Sequence, residues 1–535
     1  MKLEDSPLTG LLSNGETRLR CLIPPLPGDV APGILLLASF LDLTGKLDGP
    51  SYHEFLMEWV ESGYTTEKDL KIWLAEKLQW DSYFTKSWDR ARKEGERRWK
   101  EGTWIAVRAE SGSPRLGGSA CPRVIFGRGS LDAGNPWVAV FNSRKPRIVT
   151  GREAWLKALR RILPVMESIG FGFASSNGTT TYDLVAAYAE KAGSKTLLVY
   201  PSGLDGADGW DSGGDRAAVP RPTVGLSCMS GGCRCPKTVR PVCRDRLLAF
   251  LADVHCVIEI RPGGNLYTAI EAQQEKNPRP LVIFQEEDQV RGNEGNRNLL
   301  ERFPERAKTF CVQDFVERPD APQQAFSHSG VIREVKDIAW GDYLYHYTRG
   351  CRGPWPGQSQ REYLLDLLSG EPFCAHSALD TLIRILSEGV LRASSRLLKG
   401  KDAVVSWTSR PPLEITSLRL WNRGLIRWTF EPYGLAISRR VLKAHGTRPT
   451  IYAGADVRNR LKPADRYRFQ KHEPPLCSWK HEREWRLRKD LELKGVSPTD
   501  WFAFVPDRDV CEVLNRRCEG APSAVVLSEV ETGSG

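Results

Sequence analysis

Between Trp137 and Phe284 the sequence alternates short apolar runs with longer amphipathic stretches, and this rhythm limits the fold more than any other feature. "WVAVF" is followed by "REAWLKALRRILPVMESIG", in which Trp155, Leu159, Ile162, Leu163 and Met166 fall on one helical face. Then come "FGFAS", "TYDLVAAYAEKAG" and "KTLLVYPSG", and after an irregular stretch "RDRLLAFLADV", "HCVIEI", "GGNLYTAIEAQQEKN" and "PLVIF". Runs that are apolar throughout belong to strands covered on both faces. Intervening helices make those strands parallel, because each helix returns the chain to the starting edge. A Rossmann-like parallel sheet follows, with ligand chemistry expected at the carboxyl ends of its strands.

A chain of 535 residues exceeds one core, and its texture divides into three parts, a multidomain α/β protein. Residues 1–115 read as a helical N-terminal region, from "ILLLASFLDL", "YHEFLMEWVES" and "EKDLKIWLAEKLQW". The loop "ESGSPRLGGSACPR" marks a boundary, and the parallel-sheet domain takes 120–334, with a Gly/Cys/Pro insert at 204–240. Residues 335–535 read as α+β, with strands in "AVVSWTS", "LIRWTF", "PTIYAG" and "WFAFVP" and a helix in "ALDTLIRILSEGVL".

No apolar run reaches the ~18 residues of a membrane span, and "MKLEDSPLTG" lacks the apolar core of a signal peptide, so a cytoplasmic protein without membrane contact is expected. The net charge of +10 is compatible with phosphate-bearing partners. "RARKEGERRWK" at 90–100 reads as a solvated helix face of alternating charge. Cys228, Cys233, Cys235 and Cys243 crowd into the insert, but their spacing lacks the paired C-x2-C knuckles of common zinc sites. Unligated thiols are the expected state, and no metal is assigned.

Three loops converge on the carboxyl edge of the sheet. Asn142, Ser143 and Arg144 end the first strand, "SSNGTTTYD" holds Gly178 and a hydroxyl cluster, and "RPGGNLYTA" opens a helix. Each alone reads as a helix-capping turn. Together they offer backbone N–H groups, small side chains and cations to a phosphate. The order of "NSR", "GFGFASSNGTTTYDLVAAYAEKAGSKTLLVYPSG" and "CRDRLLAFLADVHCVIEIRPGGNLYTAIEA" resembles the DNA-processing DprA/Smf proteins and the wider SLOG superfamily, over about 135–288. The resemblance implies a phosphate site lined by Ser143, Arg144, Gly178, Arg244, Arg246, Gly263 and Gly264, with a nucleotide or single-stranded nucleic acid as partner. The family's "SGxAxGxD" is here "SSNGTTTYD", which makes Asp183 its acidic equivalent.

In the last part, "YHYT" holds His346, "VVSWTSRPP" holds Ser406 and Thr408, and "WKHEREWRLR" holds Glu482 and Glu484. If that last stretch is a strand, Glu482, Glu484 and Arg486 point together and Trp485 and Leu487 point inward. Breaking a glycosidic bond to ribose develops a cation that a carboxylate stabilises while a His and hydroxyls orient the sugar. His346 reads equally as a packed strand residue, and "EREWR" as a salt-bridged strand face. Through "LYHYT", "ALDTLIRILSEGVLRAS", "VVSWTSRPP" and "HEREWRLR" this part resembles AbiG-type abortive-infection proteins and, more distantly, ADP-ribosyltransferases. The latter likeness implies NAD as the substrate, with His346, Ser406, Thr408 and Glu484 catalytic and Glu482 assisting acceptor attack.

The combined expectation is a bacterial anti-phage defence protein: a DprA/SLOG-like domain senses a nucleotide or nucleic acid and controls an NAD-using effector. A homo-oligomer or a defence-system partner protein fits that scheme. The alternative is a non-catalytic protein of DprA type that binds single-stranded DNA or RNA.

Overall fold

The computed structural model describes residues 34–35, 37–39, 41, 55–56, 58–59, 62, 67–78, 82–107, 124–130, 135–145, 153–205, 222–229, 238–285, 293–311, 338–351, 353–370, 376–395, 402–414, 421–422, 427–474, 479–518 and 522–528. The chain divides into two compact units, Met1–Val316 with Ser359–Gly370, and Glu317–Gln358 with Glu371–Gly535. No helix among the described residues is long and apolar enough to cross a membrane.

The first unit is built on a nine-stranded sheet of β1 (Trp104–Val107), β2 (Val124–Gly129), β3 (Trp137–Phe141), β4 (Gly172–Ser176), β5 (Thr196–Val199), β6 (Val224–Ser227), β7 (Val254–Val257), β8 (Leu281–Phe284) and β9 (Ala307–Phe310). Their order is β1-β2-β6-β5-β4-β3-β7-β8-β9, with β3 to β9 parallel and β1 and β2 antiparallel on one edge. Two strands fall where the sequence rhythm pointed elsewhere. β6 lies inside the insert at 204–240, and β1 lies inside 1–115, the stretch read as helical. β7 and β8 are equally short but are bounded by amphipathic helices, whereas β6 lies among Gly, Cys and Pro and β1 directly follows a long helix.

Every residue of β3 through β8 is buried, which explains their unbroken apolar character. The pleat sends Val138 and Val140 to one side, against Trp155, Leu159, Ile162 and Leu163 of the helix Ala154–Ser168, while Trp137, Ala139 and Phe141 enter the opposite core. The helices of this unit are α1 (Glu67–Leu78), α2 (Ser82–Lys100), α3 (Ala154–Ser168), α4 (Thr180–Lys191), α5 (Val239–Leu251), α6 (Asn265–Lys276), α7 (Glu294–Arg302) and α8 (Gln360–Ser369). Helix α8 comes from within 335–535, yet its Tyr363, Leu364 and Leu367 belong to the core that α3 and α4 form over the sheet. A capping box between Ser359 and Glu362 starts it, and Gly370, at φ 67°, ends it in the left-handed conformation glycine tolerates. Arg160 Nε of α3 donates to the Leu367 carbonyl at 2.8 Å and so uses one of the last-turn acceptors.

A buried ionic cluster joins α2 to the sheet. Asp205, just after β5, accepts from Arg98 Nε and from Arg128 Nη2, both at 2.9 Å. Both arginines are nearly inaccessible to water, and Glu101, Thr103 and Ser39 satisfy their other donors. Two buried guanidinium groups cannot share a site without that carboxylate.

The second unit carries a seven-stranded sheet of β10 (Tyr343–Tyr347), β11 (Val405–Thr408), β12 (Gly434–Ser438), β13 (Arg448–Pro449), β14 (Glu484–Leu487), β15 (Trp501–Val505) and β16 (Ala524–Val526), in the order β13-β14-β11-β10-β12-β15-β16. All neighbours are antiparallel except β15 and β16. Helix α9 (Ala378–Glu388) lies between a Ser377–Asp380 capping box and Gly389, at φ 66°. Its Leu382 and Ile383 share a core with Leu344, Trp407 and Leu487, while Tyr343, Tyr345 and Tyr347 fill a second core with Phe502 and Phe504.

Asp205→Ala should lower the stability of the first unit by about 3 kcal/mol, because it strips the shared carboxylate from two buried arginines. Urea unfolding followed by tryptophan fluorescence checks this, and a wild-type midpoint would show that the remaining partners suffice.

Candidate functional site

Strand β3 has β4 on one side and β7 on the other, so the order of the parallel strands reverses there and their outgoing loops diverge into a crevice. Two residues after β3 tie the crevice together. Asn142 Nδ2 donates to Thr181 Oγ1 in the first turn of α4 at 3.0 Å. Ser143 donates its backbone N–H to the Glu259 carbonyl at 2.7 Å and accepts the Arg261 N–H on its hydroxyl at 3.0 Å. Lys145 reaches the Glu259 carboxylate. Below the floor, Asn296 of α7 donates to the Ile258 and Phe284 carbonyls and accepts from the Ile260 N–H, clamping the ends of β7 and β8.

The loops differ in what they leave open. After β4, Gly178 has φ 86° and its N–H already donates to Asp183 Oδ1 at 3.2 Å, while the Thr179 side chain caps α4. After β7, Gly263 has φ 66° and α6 begins at Gly264 with no side-chain cap, so its first-turn N–H groups face outward without an internal anion. Arg144 and Arg261 are exposed beside it. Asn142 is buried, and its Oδ1 has no partner among the described residues.

The eight residues expected to hold a nucleotide therefore separate. Ser143, Arg144, Gly263 and Gly264 sit on the hydrogen-bonded β3 and β7 loops, and Arg261, not singled out from the sequence, joins them. Gly178, Asp183 and Arg244 form a second group at the start of α4. Arg244 Nε donates to Asp245 at 2.8 Å, Tyr182 donates to the same oxygen at 3.1 Å, and the guanidinium lies 4.9 Å from the Tyr182 ring. Arg244 is buried in this contact between α4 and α5, whereas Arg246, two residues along the same helix, projects in another direction. Burial pushes the Asp183 carboxyl up to about 6, against the pull of the Gly178 N–H and Arg244.

In the second unit the register sets Thr408 opposite Glu484 and Ser406 opposite Arg486, so these four share a face. Glu484 is fully engaged: its two oxygens accept from Arg486 Nε at 2.9 Å and Nη2 at 2.8 Å. Arg486 is buried and also donates to the Tyr467 and Phe469 carbonyls and to Gln470. Glu482 does not continue that strand. It lies in a 3-10 turn, Lys480–Glu482, and Arg483 at φ 46° breaks the extended run before β14. Thr408 Oγ1 donates to the Glu482 carbonyl, so that hydroxyl holds the turn in place.

His346 packs edge-on to Trp407 at 5.6 Å, on the opposite face from Thr408, and its Nδ1 lies 2.8 Å from the Ser406 carbonyl where β10 and β11 cease to pair. Burial drives its imidazole down to about 4, so it is neutral at pH 7. Burial raises Glu482 to about 7, opposed by Arg349 and aided by Glu484. Arg349, whose guanidinium lies 5.4 Å from the Phe430 ring, is itself lowered by burial and held up by Glu482, Glu484 and Glu431. Arg349 and Glu482 are half-buried and electrostatically coupled, whereas His346 lies on the Trp407 side of the sheet.

Cys228 and Cys243 are buried, and Cys233 and Cys235 lie outside the described residues. Among the described residues no group of three or more His, Cys, Asp or Glu could hold a metal ion.

No protein-family profile matches the chain, and no curated protein matches it. Among solved structures it is similar to DNA processing protein A of Streptococcus pneumoniae, at 19% identity over 54% of this chain and 92% of that one, TM-score 0.32. It is also similar to DNA processing protein A of Helicobacter pylori, described for its single-stranded DNA binding mode, at 16% identity over 39% and 93%, TM-score 0.29. A third likeness is to the molybdenum cofactor carrier protein of Chlamydomonas reinhardtii, at 15% identity over 34% and 92%, TM-score 0.22. At such scores nothing about what these proteins bind passes to this chain.

Because the folded pKa of Asp183 lies above its unfolded value near 3.9, ionising it works against the fold as pH rises through about 6. Asp183→Asn should therefore raise the thermal midpoint at pH 8, by the equivalent of up to about 3 kcal/mol, and the gain should vanish by about pH 4. Calorimetry across that range checks it, and a gain independent of pH would sink the assignment.

Proposed function

We propose that the first unit binds the sugar–phosphate backbone of a single-stranded nucleic acid at the crevice between the β3 and β7 loops. The observation that carries this reading is the Ser143 bridge, which ties the loop carrying Arg144 to the loop that carries Arg261 and leads into the uncapped start of α6. Backbone N–H groups and two arginines suit a phosphate, and the unpartnered amide atom of Asn142 suits a polar group of an attached sugar or base. The Ser143 hydroxyl accepts the Arg261 N–H and has no hydrogen bond to a histidine or carboxylate that would activate it among the described residues, so binding is the function these residues fit best. Arg144→Ala combined with Arg261→Ala should weaken binding of a fluorescent oligothymidine by tenfold or more, about 1.4 kcal/mol, in an anisotropy titration. Undiminished affinity in that variant would discard the reading.

A second reading is favoured by Glu482. A carboxyl raised to about 7 beside Arg349 is suited to proton transfer at neutral pH. In NAD hydrolysis the ribosyl–nicotinamide bond breaks, nicotinamide leaves with its electron pair, water bonds to the ribosyl carbon, and Glu482 takes the water's proton. Arg349 is the group that would hold a phosphate oxygen. Glu484 fits the proton-accepting role less well, since Arg486 occupies both of its oxygens. If NAD is consumed, Glu482→Gln should reduce nicotinamide release at least a hundredfold, whereas a variant as active as wild type would remove Glu482 from the chemistry.

A further inference from the structure

The chain's net charge is not spread over it. From Arg439 to Lys489 there are fifteen Lys and Arg against five Asp and Glu, a net of +10, which equals the net charge of the entire chain (76 against 66). The remaining residues therefore balance, sixty-one against sixty-one.

The fold gathers this segment at one margin of the second unit's sheet. β13 is the terminal strand and pairs only with β14, with Arg448 directly opposite Arg486. Arg486 fastens 467–470 to β14 through the Tyr467 and Phe469 carbonyls and the Gln470 side chain, and Arg468 Nε donates to the Pro449 carbonyl at 3.0 Å. Residues 451–453 pair in parallel with 469–471, and the Tyr452 hydroxyl accepts the Glu484 N–H at 2.7 Å. Six cations of this margin, Arg448, Lys462, Arg466, Lys480, Arg483 and Lys489, are exposed and have no acidic partner among the described residues. One or two cations protect an edge strand from pairing with another chain. Six unpaired ones repel one another and exceed that need. Half-buried aromatic side chains alternate with these cations along the sequence: Tyr467, with the Arg488 guanidinium 5.8 Å from its ring, Phe469 and Trp479.

We propose that this basic margin is a second nucleic-acid surface, which takes single-stranded DNA or RNA with its phosphates on the unpaired cations and bases against the interleaved aromatic rings. It belongs to the other unit, and it does not rest on the reading of the β3 and β7 loops.

The test uses the full chain, fluorescein-labelled oligothymidine and oligouridine of about 30 nucleotides, and salt from about 50 to 200 mM. The variant Arg448→Ala/Arg466→Ala/Lys489→Ala should bind at least tenfold more weakly. Its slope of log affinity against log salt should be shallower by about 2, since each phosphate contact on a single strand contributes about 0.7. Lys157→Ala/Lys191→Ala/Lys276→Ala removes the same charge from exposed helix positions of the first unit and should leave both quantities near wild type. Equal circular dichroism and thermal midpoints confirm that all variants fold. The proposal is overturned if the margin variant keeps wild-type affinity and slope, if the control loses as much, or if wild type binds anionic phosphatidylserine vesicles and neither oligonucleotide. The Arg144→Ala/Arg261→Ala variant in the same titration separates the two surfaces: a loss there with none in the margin variant leaves the crevice standing and removes the margin. A preference between oligothymidine and oligouridine that the Arg144→Ala/Arg261→Ala variant keeps and the margin variant loses identifies which strand the surface takes.

Discussion

Covering both faces of β3 to β8 is the constraint from which the first unit follows. No polar face exists to present to water, so helices must close both sides, and the chain must cross the sheet between successive strands. The crossovers collect the outgoing loops on one edge. The reversal of order at β3 then leaves a crevice that no crossover fills. Ser143 and Asn142 hold the crevice walls at fixed spacing, and the buried Asn296 does the same for the strands beneath. A site of this kind is positioned by backbone hydrogen bonds and needs few specialised side chains.

Much of this unit was legible in the sequence. "WVAVF", "HCVIEI" and "PLVIF" are strands because their apolar runs are short and bounded, and Trp155 through Met166 fill the face their spacing assigns. Pattern failed where elements are brief or borrowed. β1 and β6 are as short as β7 and β8 but lack amphipathic helices on both sides to bound them. Helix α8 has an ordinary amphipathic sequence, and nothing local says which core it completes. Arg244 and Arg246 read as a matched pair, but a helix turns by about 100° per residue, so only one of them can enter the contact with Tyr182 and Asp245.

The second unit was harder to read for a different reason. Its motifs follow one another in sequence, whereas its chemistry depends on which face each side chain takes. The register unites Ser406, Thr408 and Glu484 and sends His346 toward Trp407. A single left-handed residue, Arg483, lifts Glu482 out of the strand that Glu484 begins. Two carboxylates of similar sequence context thus receive opposite environments. One is bound on both oxygens by a buried arginine, and the other sits desolvated with its proton affinity raised. A backbone conformation that a non-glycine residue adopts at a cost of about 1 kcal/mol or more is what separates them.

Helix α8 changes what a domain boundary means in this protein. The chain leaves the first unit, enters the second, returns for twelve residues, and leaves again, so the units are joined by three passages instead of one. No single cut separates two intact bodies. A truncation near residue 335 would strip Tyr363, Leu364 and Leu367 from a core whose other walls are α3 and α4, and the excised second part would carry a helix whose apolar face has lost its core. Helix α8 thus makes the folding of the first unit depend on chain that follows most of the linker into the second.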